Sequence, residues 1–574
     1  MKNLIHNRRH VRRNEALITG AAFCAFAILS ACGGSDGSSS PSSLSTPGGS
    51  PVAPTPPPAA SITWTQDSFP VASQFKDRCE VVRTGVDIEG NSFPDQTGTR
   101  LQEMFWLRSW SDETYLWQDE ITDRDPNTFT NKITYFDQLK TNATTASGEN
   151  KDDFHFSQTT QAYLEQRTSA ARPSYGATFV SISPSIPRDV RVSYTEPSSP
   201  ASETVMGQAN LVRGSRLITI DGLDVINGAS TASEVAQLNA ALAPSIVGES
   251  HTFTVRDPGA TADRTITLTA ANIAPKPVNR YSTINTASGK VGYILFNTFS
   301  PFSSEQDISD AVRALDTEAI SDLVIDLRYN GGGLLDVSSQ LAYMVAGSAR
   351  TSGKTFEQLR FNSRAGTRNP VTGAFNGPIE FYATGRGFSV TAGTPLPSLD
   401  LPRVYILSTA RTCSASEALV NGLRGVDVEV VMIGSTTCGK PFGFYPTSNC
   451  GQTYYTIQFQ GVNDKGFGDY TDGFAPQNAS DAFPVKLPGC QVADDFDHEL
   501  GNTSEALLAA ALQHRTNGTC PAVPVSPKVS ASAGSQKAGA SIIDDPLALN
   551  MPAQTLSETN RDLSAPGHTW GSTR

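Results

Sequence analysis

Three loops in this chain carry residue types that could break an acyl bond. The first, Thr412-Cys413-Ser414-Ala415-Ser416-Glu417, lies between an apolar run and a helix-like stretch. A serine hydroxyl becomes a nucleophile when a nearby base takes its proton. Either serine alone also fits an ordinary helix cap, so the loop needs a partner to mean more. Lys440 offers one, following Cys438-Gly439 at the end of the next apolar run. Burial there would lower its pKa and let the neutral amine act as a base. The third loop, Asn330-Gly331-Gly332-Gly333, follows a short apolar strand and precedes a helix. Its glycines let backbone amides turn outward without a Cβ clash, which suits an anion or an oxyanion; a tight turn is the plain alternative. No Walker lysine follows, which disfavours phosphate.

Loops of this kind need a regular frame, and the residues after 277 supply one. Strands are predicted at 290–296, 322–327, 404–407, 428–433 and 454–460, and helices at 304–315 (opened by a Ser-Ser-Glu cap), 334–346 and 414–423. Strand then helix, repeated, predicts an α/β layer fold with largely buried strands. Upstream, 173–276 holds predicted strands at 177–183, 190–194, 216–220, 251–256 and 264–269 and one helix at 230–243, a compact barrel-like module. Aromatic residues at helical spacing, among them Phe105, Trp106, Trp110, Tyr135 and Phe136, predict a small helical domain over 61–172.

At 574 residues the chain exceeds the ~250–300 that one core serves, so several domains are required. Its 44 basic and 56 acidic side chains give −12, which excludes a basic nucleic-acid footprint. Residues 1–31 join a basic head (Lys2, Arg8, Arg9, Arg12, Arg13) to an apolar run, the pattern of a secretory signal peptide. Its Leu29-Ser30-Ala31-Cys32 ending resembles a bacterial lipobox, in which Cys32 would be lipidated; an ordinary soluble secretory peptide is the alternative. Residues 32–60 predict a flexible Ser/Gly/Pro tether, and 521–574 a disordered tail. An exported chain keeps disulfides. Cys79, Cys413, Cys438, Cys450, Cys490 and Cys520 match no zinc spacing and predict structural bridges, with the pairing left open.

Taken in order, Asp326-Leu327-Arg328-Tyr329-Asn330-Gly331-Gly332-Gly333-Leu334-Leu335, Ser414-Ala415-Ser416-Glu417 and Gly439-Lys440 resemble the C-terminal processing (tail-specific) serine peptidases. The resemblance covers about 173–460. It implies a ClpP/crotonase-like peptidase core at 277–520 with an inserted PDZ domain, a peptide-end-binding module, at 173–276. Tyr175-Gly176-Ala177-Thr178-Phe179 resembles the carboxylate-binding turn of a PDZ, and Ser199-Pro200-Ala201 with 214–222 the rest of its signature. Carried over, Ser414 is the nucleophile, Lys440 the general base, the Ala415 and Gly332 amides the oxyanion hole, and Tyr175, Gly176 and Ala177 the peptide-binding turn. Gly331 stands where the family usually has Pro. Phe444 stands where many members carry Gln, so the group that orients Lys440 must come from elsewhere, Gln458 and Gln460 being the candidates. Glu417 is expected as a helix-start or structural partner. Cys413 and Cys438 invite a bridge between the two loops, and Cys438–Cys450 is equally open.

The resemblance implies a serine endopeptidase with a Ser–Lys dyad, acting on proteins or peptides through their C-termini. Lipidation would place it in the cell envelope, at the outer membrane and facing the periplasm. No metal or organic cofactor and no nucleic acid is implied. A non-catalytic peptide-binding lipoprotein scaffold is the alternative from another class. His155, His251, His498 and His514 lack motif context, which disfavours a Ser–His arrangement.

Overall fold

The computed structural model describes residues 62–168, 171–183 and 185–522. The expected leader at 1–31, Cys32, the tether and the tail from 523 lie outside the described residues. Among the described residues no helix is long and apolar enough to cross a membrane.

Helix α1 (Arg100–Thr114) starts where the Thr99 side chain accepts the Gln102 amide, the usual way an orphan first-turn donor is satisfied. Its Trp106 and Trp110 rings stack at 5.1 Å and pack with Phe136 and with Tyr454, which comes from far along the chain. The segment before 172 also contributes the strand Phe156–Thr159, which pairs antiparallel with Gln452–Tyr455, and Cys79 is bridged to Cys450. It is helical only in part and is built onto the C-terminal half.

The next module has strands β1 (Ala177–Ser183), β2 (Asp189–Thr195) and β3 (Arg216–Ile220), helix α2 (Ala232–Leu242), and strands β4 (Ser250–Arg256) and β5 (Arg264–Thr269). These strands run in the order β5-β4-β3-β2-β1, antiparallel throughout, which leaves β1 at an edge. Val235 and Leu238 of α2 bury against Phe179, Val192, Leu217 and Phe253. A capping box between Thr231 and Glu234 opens α2.

The C-terminal half is built on a six-stranded sheet of β6 (Val278–Thr286), β7 (Gly289–Phe296), β8 (Asp322–Asp326), β9 (Arg403–Ser408), β10 (Glu429–Gly434) and β11 (Gly489–Gln491). Their spatial order is their chain order, and every pair after β6–β7 is parallel. Alternate residues face opposite cores. Leu323, Ile325, Val404, Ile406, Val430 and Met432 meet α3 (Ser304–Thr317), α4 (Leu335–Ala346) and α5 (Ala415–Gly425), whereas Val324, Tyr405, Leu407, Val431 and Ile433 meet α6 (Ala506–Asn517). A strand covered on both faces must be apolar at every position, which is why these strands read as short continuous runs.

Three local expectations change. The run 454–460 is two strands, Gln452–Tyr455 and Phe459–Val462, in different sheets. It breaks at Gln458, whose amide donates to Gly443 O and whose Oε1 accepts from the Tyr445 amide. Helix α3 is not opened by a Ser303 side-chain cap bond; the next serine, Ser304, donates to Phe299 O. The segment 347–402, not assigned from sequence, contributes the strand Thr355–Arg360, paired antiparallel with Phe459–Val462.

Candidate active site

The three chemically interesting loops leave the C-terminal ends of β8, β9 and β10, which are adjacent and parallel. In open α/β sheets that end is where ligands bind, because the strand termini and the following helix N-termini converge there. Asn330 ties the first loop to the second. Its carbonyl oxygen accepts from the Cys413 amide at 3.1 Å and from Ser416 Oγ at 3.0 Å, and its Nδ2 donates to Phe296 O at 2.9 Å. Thr412 Oγ1 adds a bond to Leu327 O at 2.8 Å.

Ser414 stands at the N-terminus of α5 with φ +57° and ψ −112°. A positive φ is strained for a residue with a Cβ, and such strain concentrates at functional positions. Gly332 lies directly over it, with φ +114°. A Cβ on Gly332 would come within 2.8 Å of Ser414 Cβ and 3.0 Å of the Ala415 nitrogen, so only glycine permits this approach. The two amides expected to hold an oxyanion, Gly332 and Ala415, therefore flank the same serine. The Gly332 amide donates to Asn330 Oδ1 at 2.9 Å.

Lys440 is fully buried, and its Nζ lies 4.5 Å from the centroids of both the Phe154 and the Phe444 rings. Phe444, the departure from the family pattern, is thus a wall of the lysine pocket. Gln458 Oε1 accepts from the Tyr445 amide at 2.7 Å and its Nε2 lies 3.5 Å from Thr114 Oγ1, and Gln460 Nε2 donates to Gly468 O at 2.9 Å.

The Lys440 and Ser414 loops are joined twice. Cys413 and Cys438 form a disulfide with Cα atoms 5.2 Å apart. The other bridges are Cys79–Cys450 and Cys490–Cys520, so the Cys438–Cys450 alternative is not realised. Glu417, fully buried on α5, makes the second connection. Its Oε2 accepts from the Ser414 amide at 3.0 Å and the Lys440 amide at 2.8 Å, and its Oε1 from the Gly439 amide at 2.8 Å and Thr437 Oγ1 at 2.6 Å. Burial pushes this carboxyl above its usual range against the pull of those four donors. The Ser-x-x-Glu spacing announces a capping box, but only the Ser414 bond belongs to that motif; the bonds to 437–440 have no signal in sequence.

Cys413, Glu417 and Cys438 place three ligand-type atoms within 4.8 Å of one another. Two of them are sulfurs spent in a disulfide, and only a thiolate ligates a metal, so this trio does not fit a metal ion.

The histidines are held elsewhere. His155 stacks on Phe136 at 3.9 Å with Nε2 2.8 Å from Phe136 O, and burial lowers its pKa to about 4. His251 pairs with Asp221 and Glu249, and His498 with Asp495. His514 meets the edge of Tyr405 at 6.0 Å between centroids.

In the smaller module, Tyr175 Oη donates to Ala241 O of α2 at 3.0 Å, Gly176 adopts φ +73°, and Ala177 opens the edge strand β1. The Gly176 amide donates to Ser174 Oγ at 2.9 Å. A buried ionic cluster, missed in the sequence, joins this module to the glycine loop. Arg213 donates to Tyr329 Oη at 2.7 Å and to Asp494 at 2.7 Å, and Arg328 bonds Asp326, Asp494 and Glu505. Burial opposes ionisation of Asp494, yet Arg328 and Arg213 hold its carboxyl below the usual range.

Residues 290–447 match the sequence profile of peptidase family S41. The carboxyl-terminal-processing protease of Picosynechococcus sp. is 27% identical over 246 residues, 42% of this chain; the match spans about half of that relative, 49% of its length. A solved structure from Bacteroides fragilis, assigned to the S41 proteases, covers 72% of this chain and 97% of its own at 22% identity, with a TM-score of 0.54. That is a likeness in fold. The segment similar to peptidase family S41 contains all three loops on β8, β9 and β10, so the likeness falls on the part of the α/β layer where those loops converge.

Proposed function

We propose that this chain is a lipid-anchored serine endopeptidase of the cell envelope that hydrolyses proteins or peptides with a Ser414–Lys440 dyad. The observation that carries the reading is the convergence of nucleophile, base and glycine loops at one sheet end, with Ser414 in a left-handed conformation under Gly332. Ser414 Oγ attacks the scissile carbonyl while the Lys440 amine takes its proton, then returns it to the leaving amine. Water, deprotonated by the same amine, hydrolyses the resulting ester. The tetrahedral oxyanion is held by the Ala415 amide and by the Gly332 amide, which exchanges Asn330 Oδ1 for it. Each such donor is worth about 3–4 kcal/mol in comparable hydrolases. Substrate reaches Lys440 once the apolar cover of Phe154 and Phe444 opens.

The smaller module is read as a PDZ. Its edge strand β1 beside α2 suits a peptide added as a further strand, with the 175–177 turn at the peptide's end. Recognition of C-termini also agrees with what the Picosynechococcus relative is called.

The test is proteolysis of an unstructured protein by the purified full chain, beside Ser414→Ala and Lys440→Ala. Loss of cleavage in both variants establishes the dyad. Cleavage that survives Lys440→Ala reassigns the base, and an inactive parent that still binds C-terminal peptides refutes the enzyme reading.

A further inference from the structure

We infer that Glu417 is a positioning residue for the hydrolysis: its buried carboxylate fixes how the loop presenting Ser414 meets the loop presenting Lys440. The inference rests on the serine-peptidase reading above. An ordinary capping glutamate bonds the amide of its own helix cap. Glu417 does so through Ser414, but its other three donors, the Thr437 hydroxyl and the Gly439 and Lys440 amides, belong to the loop after β10. One oxygen is shared by the main-chain amides of the nucleophile and the base themselves. Because Glu417 rides on α5, any displacement of that helix is passed to both loops together.

The donor count sets the chemistry. An ionised carboxylate offers about four lone-pair positions, and four donors occupy them. Thr437 Oγ1 accepts from the Phe474 amide at 2.8 Å, so its single proton is committed to Glu417. The three main-chain amides can only donate, so they favour the charged form of Glu417 against the burial that pushes its pKa up. With its lone pairs filled, Glu417 has no capacity to take a proton from Ser414. Its action is on the geometry, and it complements the Cys413–Cys438 bridge, which fixes the neighbours of the two residues rather than the residues themselves.

The test compares the full chain with Glu417→Gln, Thr437→Val and Thr437→Ser. Each is assayed for kcat and KM on a fluorogenic unstructured protein, and for the rate at which a fluorophosphonate phosphonylates Ser414 Oγ with loss of fluoride. Glutamine keeps the shape but turns an NH2 group toward one pair of donors. The expected result is a fall of about a hundredfold in kcat per folded molecule, the scale of a misplacement near 1 Å, with phosphonylation slowed in parallel. KM should stay within about threefold, because no substrate contact is removed. Thr437→Val removes one donor and leaves the carboxylate in place, so it should lower kcat about tenfold, and Thr437→Ser should recover most of that loss. If Glu417→Gln does not fold, the Thr437 pair decides the matter alone. Values of kcat within about twofold of the parent in Glu417→Gln and Thr437→Val would overturn the inference while leaving an active, labelled parent enzyme. A parent that neither cleaves nor labels at Ser414 overturns the peptidase reading and this inference with it.

Discussion

Replacing Gly332 by alanine tests whether the glycine loop and the serine form one site. Its φ of +114° lies outside the left-handed basin that other residues visit, so alanine is strained there by about 1–3 kcal/mol whatever its surroundings. The surroundings add more. The new methyl would lie 2.8 Å from Ser414 Cβ, 3.0 Å from the Ala415 nitrogen and 3.0 Å from Cys413 O. Two of these three atoms are backbone, so the loop must lift away from the serine rather than a side chain swing aside. Lifting it withdraws the Gly332 amide from the position a tetrahedral oxygen would occupy, a loss of about 3–4 kcal/mol, or 10²–10³ in kcat. Gly518→Ala is the control for strain alone, since Gly518 has φ +70° and a methyl added there would meet nothing within 4 Å. Both variants are assayed for kcat, KM and thermal midpoint on the same unstructured protein. The expected pattern is a lowered midpoint in both and a lost kcat in Gly332→Ala only. A Gly332→Ala enzyme with lowered midpoint and kcat within about threefold of the parent would refute the placement of this amide in the oxyanion site.

Three further outcomes are expected. Replacing Cys413 and Cys438 by alanine opens a loop with a sequence separation of 25, which chain entropy values at about 3.5 kcal/mol; a urea midpoint unchanged from the parent would refute a stabilising bridge. Arg328→Met should cost about 3–5 kcal/mol, because Asp326 and Glu505 beside it are wholly buried and would lose their counter-charge; a loss under about 1 kcal/mol in chemical denaturation would show that the cluster tolerates an apolar substitute. His155 is neutral when folded, with its pKa lowered by burial to about 4, and takes a proton near pH 6.5 when unfolded. The unfolded chain therefore binds the extra proton between these values, so stability falls as pH drops from 6.5 toward 4, by up to about 3 kcal/mol. His155→Gln should flatten that part of the stability profile, and an unchanged slope would contradict the assignment.

The relation between motif and site follows from the sheet. Strands β8, β9 and β10 are covered on both faces, so they stand out in the sequence as apolar runs, and the loops after them as glycine and serine motifs. Parallel strands joined by crossover helices lie side by side in chain order here, which turns the linear order of three motifs into adjacency at one sheet end. That much was legible. The run 454–460 misled because apolar spacing continues through Gln458, and only hydrogen bonds to 443 and 445 show the chain turning there. The pairing of Cys79 with Cys450, 371 positions apart, has no spacing signal at all. Adjacency also leaves something undetermined: two neighbouring loops can still differ in height and tilt, and the proposed proton transfer from Ser414 to Lys440 depends on both. The groups that remove this freedom, Glu417 and the Cys413–Cys438 bridge, each join a residue of one loop to residues of the other. Coupling of that kind resides in tertiary contacts, so the proposed pair could be named from its motifs while the contacts that join its two loops became visible only in the folded chain.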